Sequence, residues 1–115
     1  MSRKNLSRKQ SRRPSQAVLF AALGDKTRLA LVVRLSSGQS ASIAQLTAGS
    51  RLTRQAVTKH LRVLQRVGLV HSTRAGRESL FTLDPKPMQE MQAYLNLVSQ
   101  QWDQALARLK FFVED

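Results

Sequence analysis

A chain of 115 residues has room for one domain with a modest core, and its composition excludes several classes of protein at once. No apolar run approaches the roughly 20 residues that cross a bilayer, and the basic N-terminus lacks the apolar stretch of a secretory signal. With no cysteine there are neither disulfides nor thiolate metal ligands, and a cytoplasmic location is expected. Nineteen Lys and Arg against seven Asp and Glu leave a net charge of +12, the balance of a protein whose partner is a polyanion.

The charge is unevenly placed. Residues 1–14 are polar and basic, carry Arg3, Lys4, Arg8, Lys9, Arg12 and Arg13, and show no hydrophobic periodicity, which predicts a disordered arm ahead of a domain over 15–115. Taking those six charges away still leaves +6. Between Lys26 and Arg77 there is no acid at all, yet there are ten basic residues. Solvated surfaces normally mix both signs, so this stretch is read as facing nucleic acid.

From Gln16 the pattern is helical, with Val18, Leu19, Ala22 and Leu23 on one side before Gly24 interrupts. Asp25 is placed to cap a second helix running to about Ser36, with Leu29, Val32, Val33 and Leu35 assigned to the core. Ser36-Ser37-Gly38-Gln39 stops it. Ser42 and Gln45 stand in capping-box register and open a short helix to about residue 48, with Ile43 and Leu46 inward. After a break at Ala48-Gly49-Ser50, Thr53 caps a longer helix to about Val67, whose Val57, Leu61, Leu64 and Val67 form one stripe. Gly68 ends it. Leu69–Arg74 and Arg77–Leu83 then read as two short strands joined at Ala75-Gly76, with Val70, Phe81 and Leu83 facing inward. A last helix runs from about Lys86 to Val113.

This order, mainly helical with one small β-hairpin, is that of a winged helix-turn-helix (α-α-α-α-β-β-α). The second helix of the pair divides cleanly, with Arg54, Gln55, Thr58, Lys59 and Arg62 opposite the apolar stripe. Recognition helices read bases with their first turns, which selects Arg54, Gln55, Thr58 and Lys59. Arg pairs with guanine O6 and N7, Gln with adenine, and the Thr methyl with that of thymine. Arg51, Arg62 and Arg66 are assigned to phosphates. In the hairpin, Arg74 and Arg77 flank Gly76, a wing tip suited to a phosphate chain or a narrow minor groove.

The last helix carries Met88, Met91, Leu95, Val98, Trp102, Ala105, Leu109 and Phe112 at alternating spacings of three and four, a heptad seam. At 1.5 Å per residue such a helix is roughly 42 Å long, more than so small a core covers. The sequence therefore predicts a homodimer through its first and last helices, with Val18, Leu19, Met91, Leu95, Val98, Trp102 and Leu109 at the interface. Two-fold symmetry would set two recognition helices about 34 Å apart.

Phe20-Ala21-Ala22-Leu23-Gly24-Asp25-Lys26-Thr27-Arg28-Leu29 resembles the opening segment of ArsR/SmtB-type repressors. Arg54 to Leu61 resembles their recognition helix, and Gly68-Leu69-Val70 with Arg74-Ala75-Gly76-Arg77 their wing. The resemblance covers about residues 16–113. It implies a homodimeric repressor that binds an imperfect palindrome near its own promoter. Two departures accompany it. Where many relatives hold a cysteine pair for metal sensing, this chain reads Ser40 to Leu46 without a thiol. Others bind zinc between their last helices through Asp, His and Glu, but no histidine follows His71. His60 and His71, the two imidazoles, are assigned to local hydrogen bonding, and no cofactor or metal is expected. The resemblance is to the family's metal-independent branch.

Two other readings stay open. A nonspecific basic nucleic-acid module would direct its surface purely at phosphate, or at RNA through aromatic platforms that the basic face lacks. An enzyme would need a phosphate loop, paired carboxylates, a thiol or an oriented histidine, none of which is evident.

Overall fold

The computed structural model describes residues 14–114. Eight elements follow one another: α1 (Gln16–Leu23), α2 (Lys26–Leu35), β1 (Ala41–Ser42), α3 (Ile43–Thr47), α4 (Arg54–Arg66), β2 (Val70–Ala75), β3 (Glu78–Leu83) and α5 (Pro85–Glu114). The architecture is a winged helix-turn-helix, mainly helical with a small antiparallel sheet. The arm 1–14 lies, apart from Pro14, outside the described residues.

Short polar side chains set the helix starts. Ser15, Asp25, Ser42 and Thr53 each accept a hydrogen bond from the backbone N–H three residues on, satisfying a donor that the first turn leaves unpaired. At α3 the capping box is complete, with Ser42 Oγ accepting from the Gln45 N–H at 3.1 Å and Gln45 Oε1 accepting from the Ser42 N–H at 2.9 Å. Gly68, just past α4, has φ +84°, the left-handed turn that lets the chain leave the helix and enter β2.

Two compact units emerge, one up to Pro85 and one from Lys86 on. In the first, the core is built from Leu19, Ala22, Leu31, Val32, Leu35, Leu46, Val57, Leu61, Leu64, Leu69, Val70 and Phe81. The inner stripe of α4 is fully enclosed at Val57, Leu61 and Leu64, each contributing on the order of 1.5–3 kcal/mol by its burial. The second unit is formed by α5, a helix of 30 residues about 45 Å long whose first residue, Pro85, belongs to the first unit. No helix among the described residues is long and apolar enough to cross a membrane.

Four expectations need correction. The sheet has three strands, in the order β1-β3-β2, where the sequence indicated two. Ala41 and Ser42 pair with Phe81 and Leu80, so β1 exists only through a partner some 40 residues away. In α2, Leu31 is buried with Val32 and Leu35, while Leu29 and Val33 are exposed. The run Leu29-Ala30-Leu31-Val32-Val33 is apolar on several sides, and periodicity alone chose the wrong one. The hairpin turns at Gly76-Arg77, one residue later than expected, because Ala75 still pairs with Glu78. Finally, Leu19 is 2 % exposed and Met91 is also buried, so neither offers a partner any surface.

Candidate nucleic-acid interface

The helix pair is joined by a turn whose geometry is fixed locally. Gly49 takes φ +76°, the Ser50 N–H donates to the Thr47 carbonyl at 2.9 Å, and Ser50 Oγ accepts from the Leu52 N–H at 3.0 Å. Thr53 then starts α4, its Oγ1 accepting from the Ala56 N–H at 3.1 Å. With the inner stripe of α4 enclosed, its outer side turns to solvent. Arg54, Gln55, Lys59, Arg62 and Arg66 are exposed there, as is Arg51 in the turn. Arg54, Gln55, Lys59 and Arg62, with Thr53, Ala56 and Thr58, line one concavity of about 630 Å³.

Thr58 differs from its neighbours. Its hydroxyl donates back to the Arg54 carbonyl at 2.7 Å, within the helix. That leaves its methyl and the acceptor side of the hydroxyl, but no free hydroxyl donor.

The recognition helix is held by a polar joint that sequence reasoning largely missed. Arg28, at the first turn of α2, donates from Nε to the Ala22 carbonyl at 2.6 Å and so satisfies the end of α1. Its backbone N–H donates to Asp25 Oδ2 at 3.0 Å, and its Nη1 approaches His60 Nδ1 of α4 at 3.5 Å. His60 Nδ1 also lies 3.6 Å from Asp25 Oδ2. The Arg28 backbone N–H above all, then the guanidinium and His60, hold the Asp25 carboxyl below its ordinary value despite the opposing effect of burial. Arg28, which stands beside Asp25 and reaches His60 across 32 residues, carries no periodic signal that singles it out.

The wing follows directly. Six residue pairs join β2 to β3, from Val70–Leu83 at the root to Ala75–Glu78 at the tip. Gly76 at φ +63° takes the first central position of the two-residue turn, where a type II′ turn calls for glycine. Arg74, Gly76 and Arg77 are all exposed. At the root, His71 Nε2 lies 2.7 Å from Asp84 Oδ2, and Gln65 Nε2 of α4 donates to Ser72 Oγ of β2 at 3.1 Å. The latter bond ties the wing to the recognition helix. Among the described residues no three His, Asp or Glu side chains gather into a metal-binding group.

Comparison with known proteins agrees with this geometry. The sequence model of a family described as "Helix-turn-helix domain" matches residues 23–73. The HTH-type transcriptional regulator Rv2034 of Mycobacterium tuberculosis is 35% identical over 95 residues, 83% of this chain and 83% of that protein. The uncharacterized HTH-type transcriptional regulator YuzN of Bacillus subtilis is 34% identical over 79 residues, 64% of this chain and 86% of that protein. Among solved structures, an ArsR-like transcriptional regulator from Rhodococcus sp. RHA1 matches with a TM-score of 0.70 at 34% identity, covering 83% of this chain and 89% of that one. The chain belongs to the ArsR-like family of helix-turn-helix transcriptional regulators. As an ArsR-like regulator it is a DNA-binding protein and not an enzyme. The matched segment runs from the end of α1 into β2, and so contains both partners of the Arg28–His60 joint as well as the helix pair.

Proposed function

We propose that this ArsR-like regulator is a cytoplasmic homodimeric repressor that binds a palindromic operator and does not sense metal. The observation that carries the reading is the division of α4: a fully enclosed apolar face behind an exposed face that is basic and free of acid. Arg54, Gln55, Thr58 and Lys59 read base edges, Thr58 through its methyl. Arg51, Arg62 and Arg66 bind phosphate, and Arg74, Gly76 and Arg77 form the wing contact. Residues 15–115 act as one DNA-binding and dimerisation domain, with 1–14 adding nonspecific charge.

Dimerisation is supported by α5, where Leu95, Val98, Trp102 and Leu109 are exposed along one seam, Trp102 at 63 %. Val18 of α1, 45 % exposed, is open to a partner as well. Metal independence is supported by the donor set. His60 and His71 each meet one carboxylate, two donors where zinc takes about four.

The test is binding to DNA from upstream of the protein's own gene against a scrambled duplex, across a salt series and with chelator. Preference of ~10³-fold or more, unchanged by chelator, is the expected result. Equal and steeply salt-dependent binding to both duplexes, followed by failure to select any site from random DNA, would leave a nonspecific module instead. Sedimentation of Leu95→Asp at micromolar concentration tests the dimer; a variant that stays dimeric moves the interface elsewhere.

A further inference from the structure

We propose that a cleft behind the helix-turn-helix binds a small carboxylic acid with a compact apolar body, and that this acid is an effector of DNA binding. The cleft, of about 210 Å³, lies between α2 and the turn that joins α3 to α4. Ala30 and Leu52 supply its open apolar walls, with the buried Leu31, Leu46 and Val57 behind them. An apolar cavity of about 150 Å³ is enough to hold benzene, so this one admits a ring or a branched chain together with one small polar group. An inorganic anion would leave those walls uncovered.

Charge selects the polar group. Arg34 of α2 lines the cleft and, among the described residues, makes no ion pair. A guanidinium matches a carboxylate through two parallel N–H···O bonds. Arg34 also lines a second concavity of about 170 Å³, whose other walls are polar, Ser37, Gln39, Ser40 and Gln45, apart from Ala41. The guanidinium therefore stands where an apolar cleft meets a polar one. An acid with its hydrocarbon body in the first, its carboxylate on Arg34 and a hydroxyl toward the second satisfies all three surfaces.

The placement gives such a ligand leverage. Val57 belongs to the recognition helix, while Gly49, Ser50 and Leu52 belong to the turn that sets its position against α2. Val57 is itself fully enclosed, so an occupant bears on the recognition helix through the turn residues Gly49, Ser50 and Leu52, without touching the basic face. The occupant alters DNA affinity by the factor with which it distinguishes the free and DNA-bound arrangements, and DNA alters its affinity by the same factor.

The experiment uses the full chain, free of DNA, labelled for amide NMR and titrated with mandelate, benzoate and benzyl alcohol. Saturable shifts at the Ala30, Gly49 and Leu52 amides are expected below ~10 mM mandelate, with benzyl alcohol at least ~10-fold weaker for want of the charge. Arg34→Gln, a change at an exposed position, should weaken mandelate by ~10-fold or more, and Ala30→Leu should fill the cleft and abolish binding. No saturation by any acid, or undiminished mandelate binding to Arg34→Gln, overturns the site. DNA titrations with and without mandelate then test the effector role, which a saturated cleft with unchanged DNA affinity would overturn. Failure of the proposed operator reading shows itself separately, as loss of sequence preference with no acid present.

Discussion

Helices α4 and α5 carry the same kind of sequence pattern and meet opposite ends. Each has an apolar stripe at helical spacing. In α4 the stripe is enclosed by its own chain at Val57, Leu61 and Leu64, and the polar side is left bare. In α5 the apolar side itself is bare, with Trp102, Leu109 and Phe112 exposed, the last at 82 %. An amphipathic helix thus announces its function by the face the fold leaves unsatisfied. For α4 that face is charged and calls for a polyanion; for α5 it is hydrocarbon and calls for another protein surface.

Side-chain truncation separates the two helices most directly. Leu64→Ala should cost about 2–5 kcal/mol of folding stability, because it removes a fully enclosed side chain and leaves a cavity. Leu109→Ala should change the stability of the monomeric form by no more than about 0.5 kcal/mol and weaken self-association instead. Denaturant unfolding across a protein-concentration series separates the two, and equal, concentration-independent losses would erase the distinction.

On the polar side of α4, Arg54→Ala should cost roughly 1–3 kcal/mol of operator affinity and relax base choice at particular positions. Quantitative binding to single-base operator variants is the measurement, and uniform weakening on every sequence would move Arg54 to the phosphate group. A smaller effect is expected at the wing. Arg77→Ala should lower the slope of log K against log salt by about 0.9 without altering base preference, as one phosphate contact is lost.

The smallest effect concerns what holds α4 in place. Because the folded state holds the Asp25 carboxyl below its ordinary value, the unfolded chain binds this proton more readily as pH falls. The stabilisation is complete above the ordinary carboxylate value of 3.8 and is lost as pH drops through the lower, folded one. Asp25→Asn should keep the cap and flatten this part of the acid-unfolding curve. An unchanged curve would show that Asp25 contributes nothing to acid sensitivity.

Much of this was legible in the residues. The caps at Asp25, Ser42 and Thr53, the stripe of α4 and the glycine that ends it are local devices whose chemistry is written within three or four positions. What escaped was non-local or degenerate. Ala41 and Ser42 have no strand pattern of their own and become β1 only because Leu80 and Phe81 lie alongside. In α2, apolar residues outnumber the positions of one face, so only packing decides between Leu31 and Leu29. The site residues on α4 and the wing were read from charge placed opposite a stripe. Arg28 was not, since its work is done toward a carbonyl of one helix and an imidazole of another.

Ser42 belongs to two structures at once. It closes β1 against Leu80 and caps α3 against Gln45. A residue shared in this way removes the hinge that would otherwise separate the sheet from the helix pair. Opening one exposes the other, so the amides of Gln45, Leu80 and Phe81 should exchange with solvent as a single cooperative unit. Among the described residues no third strand pairs with the hairpin tip beyond Arg74, so its amides should exchange faster and independently.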